Sequence, residues 1–251
     1  TNTSEITGSW DSDLGMLTLS GPATKAQFEA ALESVTYQNT NSSDPNNGTR
    51  VVSWVINDGN ADSSAVSGTI SVGDVNDAPV LSGTASEAII YSEGGGAKTN
   101  ADFGVSVSVS DVDDANIESA TFTISSGYLA SEDVLAFTNA NGITGAWDSE
   151  TGVLTLTGSA TKAAYEAAIQ SGATYQNTNS DNPSNNTRII SVRVNDGTVN
   201  SSAADVTFAV NAVNDAPVLA SSAGALLFNE GGAAAVIDSD LSLTDVDDTN
   251  L

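Results

Sequence analysis

The chain has 251 residues, a formal net charge of -26, no cysteine, no histidine and only six basic residues. Charge of that sign repels nucleic-acid phosphates and anionic membrane surfaces, and the missing side chains remove zinc and iron–sulfur sites, thiol nucleophiles and Ser-His-Asp triads. Carboxylate, amide, hydroxyl and backbone oxygens remain as metal ligands, a hard donor set suited to calcium or magnesium.

Taken in chain order, the sequence repeats itself. Residues 6–20, ITGSWDSDLGMLTLS, return at 143–157 as ITGAWDSETGVLTLT, and VTYQNTNSSDPNNGTR at 35–50 returns at 173–188 as ATYQNTNSDNPSNNTR. The offsets are 137 and 138 residues, with the extra residue falling near Gly172. VNDAPVL stands at 75–81 and 213–219, SEGGG at 92–96 answers NEGG at 229–232, and DVDDANI at 111–117 answers DVDDTNL at 245–251. Boundaries at the Pro of each VNDAPV give three pieces: 1–78, the C-terminal half of a repeat; 79–216, a complete repeat; and 217–251, the start of another. Neither end piece holds a counterpart of 118–137, and Thr1-Asn2-Thr3-Ser4 has no Met or signal pattern, so the chain reads as part of a longer array.

Between these landmarks the apolar period is mostly two. Trp54 sits in an alternating strand; Val105, Val107 and Val109 alternate with serines, and Phe122 and Ile124 with threonines; 153–156, 190–194 and 206–210 follow the same rule. In TKAQFEAALE (24–33) and TKAAYEAAIQ (161–170), Phe28/Leu32 and Tyr165/Ile169 stand four apart, as in a short helix. Thr24 with Gln27 fits a capping box, whereas Thr161 can cap but Ala164 cannot reciprocate. The EGGG run at 93–96 calls for positive φ. The fold class expected is all-β: tandem β-sandwich modules of immunoglobulin-like size with one short helix per repeat.

Acidic residues and asparagines gather at Asp74-Val75-Asn76-Asp77, at Asp111, Asp113 and Asp114, at Asn57-Asp58-Gly59 and Asn195-Asp196-Gly197, and at Asn214-Asp215 with Asp245, Asp247 and Asp248. Calcium takes six to eight oxygens, which clustered carboxylates at loop ends supply. An extended DVDD would project Asp111 and Asp113 to one side, exposed in the absence of an ion. Each cluster also reads as turn-forming Asx residues.

The stretch 194–219, VNDGTVNSSAADVTFAVNAVNDAPVL, resembles the end of a cadherin repeat: an Asp-containing turn, a last strand, then a linker of the D-x-N-D-N-A-P type. With its TKAxYEAAI and TYQNT segments, the whole unit resembles the cadherin-like repeats of long bacterial surface proteins and adhesins. The resemblance implies Ca2+ between successive modules. At the first junction it implies Asp74, Asn76 and Asp77 from the linker with Asp111, Asp113 and Asp196 from the module that follows. At the second it implies Glu93 from the module before, Asn214 and Asp215 from the linker, and Asp245 and Asp247 from the next module. No LDRE motif occurs, Ala212 stands where the first linker has Asp74, and each linker lacks the second Asn of the family pattern.

The function expected is a calcium-stiffened extender of a secreted or cell-surface, outer-membrane-anchored adhesin, projecting a distal binding domain in cell adhesion or biofilm attachment. Its partners would be neighbouring repeats of the same chain, with cell-surface glycans or identical repeats as further ligands. The alternatives are a carbohydrate-binding or homophilic module, and an acidic surface kept for hydration in high salt. Nucleic acid is excluded as a partner, and direct membrane insertion is not expected, since no apolar run reaches the length of a span. Trp10, Trp54 and Trp147 read as core positions rather than sugar platforms. Asp148 with Glu150 could serve a glycosidase, but active sites seldom recur in each unit of an array, so no enzyme is expected. The sequons at Asn47, Asn186 and Asn200 are expected by chance in so Asn-rich a chain.

Overall fold

The computed structural model describes residues 5–84, 89–102, 104–221 and 224–250, with the side chain of Thr84 left out. Thr1 to Ser4, and Leu251, the sequence counterpart of Ile117, lie outside the described residues. The chain is mostly β-strand and divides into two compact units, Thr1–Asp74 and Val75–Leu251.

The first unit contains β1 (Thr7–Asp11), β2 (Met16–Ser20), α1 (Lys25–Glu33), β3 (Thr49–Trp54) and β4 (Val66–Ser71). Among the described residues β1 pairs only with β2, and β3 only with β4, both antiparallel. The β1–β2 turn is closed by Asp11, whose Oδ1 accepts from the N–H groups of Asp13 and Leu14, followed by Gly15 at φ 61°. α1 starts on the expected capping box: Gln27 N–H donates to Thr24 Oγ1 and Thr24 N–H to Gln27 Oε1.

The second unit begins with β5 (Val80–Thr84), β6 (Ile89–Ser92), β7 (Lys98–Thr99), β8 (Ser106–Ser110), β9 (Asn116–Ser126), β10 (Asp133–Phe137), β11 (Thr144–Asp148) and β12 (Val153–Thr161). A helix, α2 (Lys162–Ala167), widens into a π turn over Ala168–Gly172, and β13 (Ala173–Asn177), β14 (Thr187–Asn195), β15 (Ala204–Asn211), β16 (Val218–Ala220) and β17 (Ser242–Thr244) follow. The π turn has a sequence cause. It takes up the one residue by which the two repeat offsets differ, where α1 is plain α-helix throughout.

Six strands form the main sheet in the order β11-β12-β9-β14-β15-β6, and three more pair as β10-β13-β7. The 11-residue β9 lies at the centre, burying Ile117, Ala120, Phe122 and Ile124 between β12 and β14. Side chains of both sheets meet in one core: the Tyr175 ring of β13 lies edge-on to Tyr91 of β6 at 5.2 Å and to Phe208 of β15 at 4.5 Å. Each fully buried aliphatic or aromatic side chain there contributes about 1.5–3 kcal/mol of transfer free energy. Tyr165 of α2 and Ile169 of the π turn enter the same core, as their spacing implied.

Two expectations about the first unit need correction. Trp10 is 62% exposed and Trp54 37% exposed, with the Trp54 ring resting on Gly68 across the β3–β4 ladder. Their partners are non-local: Trp147, the counterpart of Trp10, is half-buried against Tyr128 at 6.1 Å, and the first unit has no counterpart of Tyr128. Likewise TYQNTNS forms β13 at 174–177 because β10 and β7 flank it, yet 36–42 carries the same seven residues and is not a strand.

Candidate metal centre

Two ladders bring the acidic segments together at one end of the second unit. The β5–β8 register opposes Val80 to Ser110, so three residues further along each strand line Asp77 faces Asp113. Asp77 N–H donates to Asp113 Oδ2 at 2.8 Å. The β14–β9 register, ending at Asn195 opposite Ser119, brings the Asn195-Asp196-Gly197 turn to the same end. There Asn76 Nδ2 donates to Asp196 Oδ2 at 2.9 Å. Asp196 is buried, and its Oδ1 accepts from the N–H groups of Thr198 (2.6 Å) and Val199 (2.7 Å) while Gly197 takes φ 108°.

The DVDD segment is not extended, contrary to expectation. Asp111 Oδ1 accepts from the N–H groups of Asp113 (3.1 Å) and Asp114 (2.9 Å), so the chain folds into an Asx turn. Nor are Asp111 and Asp113 exposed: both are half-buried. The turn takes up Asp111 Oδ1 and the Asp77 N–H takes up Asp113 Oδ2, leaving Asp111 Oδ2 and Asp113 Oδ1 buried with no hydrogen-bond partner. Turn-forming and ligand geometry are thus compatible here. The turn chemistry occupies one oxygen and aims the second inward.

Carboxylate oxygens of Asp111, Asp113 and Asp114 lie within 4.8 Å of one another, the one such acidic group of three among the described residues. Asp114 was absent from the ligand set drawn from the family resemblance, although the second Asp of "DD" was visible in the motif. Burial pushes the Asp111 carboxyl above its usual range, with its proximity to Asp113 acting in the same direction. The Asp77 N–H holds Asp113 below that range against the repulsion of Asp196. Burial acts upward on Asp196 too, but the donors from Asn76, Val199 and Thr198 outweigh it and its carboxyl is lowered. Like charges held this close, partly out of water, are costly without a cation.

The second constellation repeats the first within the same unit. β16–β17 opposes Val218 to Thr244, again three residues short of the pair that meets: Asp215 N–H donates to Asp247 Oδ2. Asp245 Oδ1 accepts from Asp247 N–H (3.0 Å) and Asp248 N–H (2.9 Å), the same Asx turn, and Asn214 Nδ2 bonds Asp215 O at 2.5 Å as Asn76 Nδ2 bonds Asp77 O at 2.8 Å. The parallel β15–β6 pair ends at Asn211 opposite Ser92 and so delivers Glu93 to this linker: Glu93 N–H bonds Asn211 O, and Glu93 Oε2 accepts from Val213 N–H at 2.7 Å. Gly94 and Gly96 take the expected positive φ, 68° and 67°, as the chain turns away. Glu93 Oε1 and Asp247 Oδ1 are buried without partners.

Asp74 is exposed and closes the first unit, and Ala212 takes its position in the second linker. Asp245, Asp247 and Asp248 are not gathered as tightly as Asp111, Asp113 and Asp114. Elsewhere the acidic motifs close turns. Asp148 Oδ1 accepts from Glu150 N–H at 2.9 Å in the β11–β12 hairpin, and Asn57 Oδ1 from Gly59 N–H at 2.6 Å. No helix among the described residues is long and apolar enough to cross a membrane. Compared with known families and with curated proteins, the chain matches no family model and no curated sequence significantly.

Proposed function

We propose that the chain is a stretch of cadherin-like β-sandwich repeats whose junctions bind Ca2+ and thereby stiffen an extended region of a secreted or cell-surface adhesin. One observation carries this reading. The buried side-chain oxygens or nitrogens left without a partner among the described residues are Glu93 Oε1, Asp111 Oδ2, Asp113 Oδ1 and Asp247 Oδ1, and each belongs to a residue the family resemblance implies as a ligand. An orphaned buried acceptor ordinarily costs about 1–3 kcal/mol and more when charged, so four of them gathered around the two linkers, with Asp113 and Asp247 at equivalent places, fit a bound cation. All are carboxylate oxygens, the hard donors calcium selects.

The residues proposed to hold ions are Asp74, Asn76, Asp77, Asp111, Asp113 and Asp196 at the first junction, with Asp114 added. At the second they are Glu93, Asn214, Asp215, Asp245 and Asp247. A bound calcium ion supplies the positive charge that lets these carboxylates stay close. The protein's part is to fix them: the Asx turns at 111–114 and 245–248 orient carboxylates, the linker N–H groups of Asp77 and Asp215 clasp the turn of the following module, and Glu93 ties a module's first strands to the linker at its end. A linker fastened at both ends has fewer bend angles, and the array behaves as a rod.

Small-angle scattering of the full chain with millimolar calcium and with excess chelator tests the stiffening. A greater maximum dimension and lower flexibility in calcium are expected. Identical curves would remove the stiffening role.

A further inference from the structure

α2 does more than cover the core. Lys162 and Glu166 of α2 and Gln170 of the π turn that continues it stand four apart and run along the edge of β8 that has no strand partner among the described residues. Gln170 Oε1 accepts from Val107 N–H at 2.8 Å while its Nε2 donates to Val105 O, and Glu166 Oε1 accepts from Val109 N–H at 2.8 Å. These side chains complete the hydrogen bonding of an edge strand that would otherwise expose its backbone. The same row continues past the strand end: Lys162 Nζ donates to Asp111 O at 2.9 Å and to Asp114 O at 2.5 Å. The ammonium therefore spans the acidic turn from its first residue to its last.

We infer that Lys162 is a built-in cation that fastens the Asp111–Asp114 turn to α2 and keeps it in its ligand-presenting conformation when no calcium is bound. This inference rests on the calcium reading for its functional meaning but concerns a different residue, one that offers no oxygen. Half-buried carboxylates with unpartnered oxygens repel one another, and a loop made of them opens in the ion-free state unless something holds its backbone. Lys162 holds it through the carbonyls. Its bonds take up main-chain oxygens and leave the carboxylate oxygens available to an incoming ion. Glu166 and Gln170 fix the helix against β8, so the ammonium is presented by a rigid element. Lys162 is a positioning residue, not a ligand.

The molecule contains its own control. The Asp245–Asp248 turn has the same internal hydrogen bonds, yet among the described residues no ammonium donates to it. Lys25, at the start of α1, occupies the position equivalent to Lys162, so the lysine itself recurs with the repeat.

The test is amide hydrogen exchange on the full chain in chelator and again in calcium, for the unchanged protein, Lys162→Met and Lys162→Arg. In chelator the amides of Asp113 and Asp114 should exchange more slowly than those of Asp247 and Asp248, by about tenfold or more given the strength of charge-assisted hydrogen bonds. Lys162→Met should erase most of that difference, Lys162→Arg should restore part of it, and calcium should protect Asp113 and Asp114 again in the Met variant. Equal protection of the two turns in the unchanged protein, or an unaltered rate in a folded Lys162→Met, overturns the role of Lys162. If calcium changes no protection in any of the proteins while the Lys162 effect stands, the calcium reading fails and the clamp survives as a structural device.

Discussion

Replacing Asp133 by Asn tests the polar centre of the second unit. Arg188 is fully buried, with Nε bonded to Asp133 at 3.1–3.2 Å and Nη2 to Glu132 at 3.2 Å, while its Nη1 donates to the carbonyls of Ser184 and Asn186. Asp133 Oδ1 also accepts from Tyr175 Oη (2.6 Å) and Asn177 Nδ2 (3.3 Å), and Oδ2 from Leu129 N–H (2.8 Å). Donors therefore surround both oxygens. Whichever way an Asn amide turns, its NH2 meets another donor, and the guanidinium keeps only one carboxylate. Breaking a buried ion pair at one partner costs about 3–5 kcal/mol, a large share of the 5–15 kcal/mol typical of a domain. With a urea slope of about 1–3 kcal/mol/M, the midpoint should fall by roughly 1–5 M, followed through the fluorescence of the half-buried Trp147. Arg50, the sequence counterpart of Arg188, bonds only the nearby carbonyls of Gly48 and Asn46, and Arg50→Ala should cost under about 0.5 kcal/mol. A loss below about 1 kcal/mol for Asp133→Asn would refute a buried, donor-saturated carboxylate there.

Asp111→Asn with Asp113→Asn should abolish calcium-dependent thermal stabilisation with unchanged far-UV circular dichroism. In chelator the same pair should be at least as stable as the parent, since two unpartnered carboxylate oxygens are removed; protection by calcium equal to the parent's would show that these residues are not ligands. Burial acts upward on Glu132, but bonds from Asn177, Asn179 and Ser184 and the attraction of Arg188 outweigh it, so its carboxyl titrates below 4.5 in the folded state. Its stabilising contribution is accordingly complete above about pH 4.5 and lost as pH falls through the lower folded value, and urea midpoints of Glu132→Gln between pH 2 and 5 should show a shallower acid decline than the parent. Gly158 has φ 135° at the β12 irregularity, and a Cβ there would lie 2.2 Å from Gly142 O; Gly158→Ala should lower stability by more than about 2 kcal/mol in urea denaturation. Backbone amides over 5–50 should exchange faster than those of 187–212, because β1 to β4 form only isolated pairs while β14 is flanked on both sides.

Much of this structure was legible wherever the sequence signal is local. The capping box at Thr24 and Gln27, the unreciprocated cap at Thr161, the buried Tyr165 and Ile169, and the positive-φ glycines at 94 and 96 depend on neighbours a few residues away. What escaped depends on distant partners. Tyr37 is 46% exposed and Tyr175 2%, in the same seven-residue sequence, because only the second copy has β10 beside it. The buried Arg188 was hidden for a related reason. Glu132 and Asp133 occur once, so the self-comparison that exposed the repeats carried no trace of them, although the repeated Arg of TYQNT…TR was itself a hint. At the candidate metal centre the acidic residues and their tendency to form Asx turns were readable from the motif, but not that the DVDD segment itself folds into such a turn while presenting its second oxygens. Alternation suggested an extended segment, whereas carboxylates bonding to N–H groups two and three residues on folded it.

A calcium titration of the chelator-treated full chain, followed residue by residue through backbone amide resonances, tests the central claim most directly. Saturable shifts confined to 74–77, 111–114 and 195–199, and to 93, 213–215 and 245–248, are expected. Shifts that never saturate, or that spread evenly over the acidic surface as with sodium chloride, would contradict specific ions at the junctions.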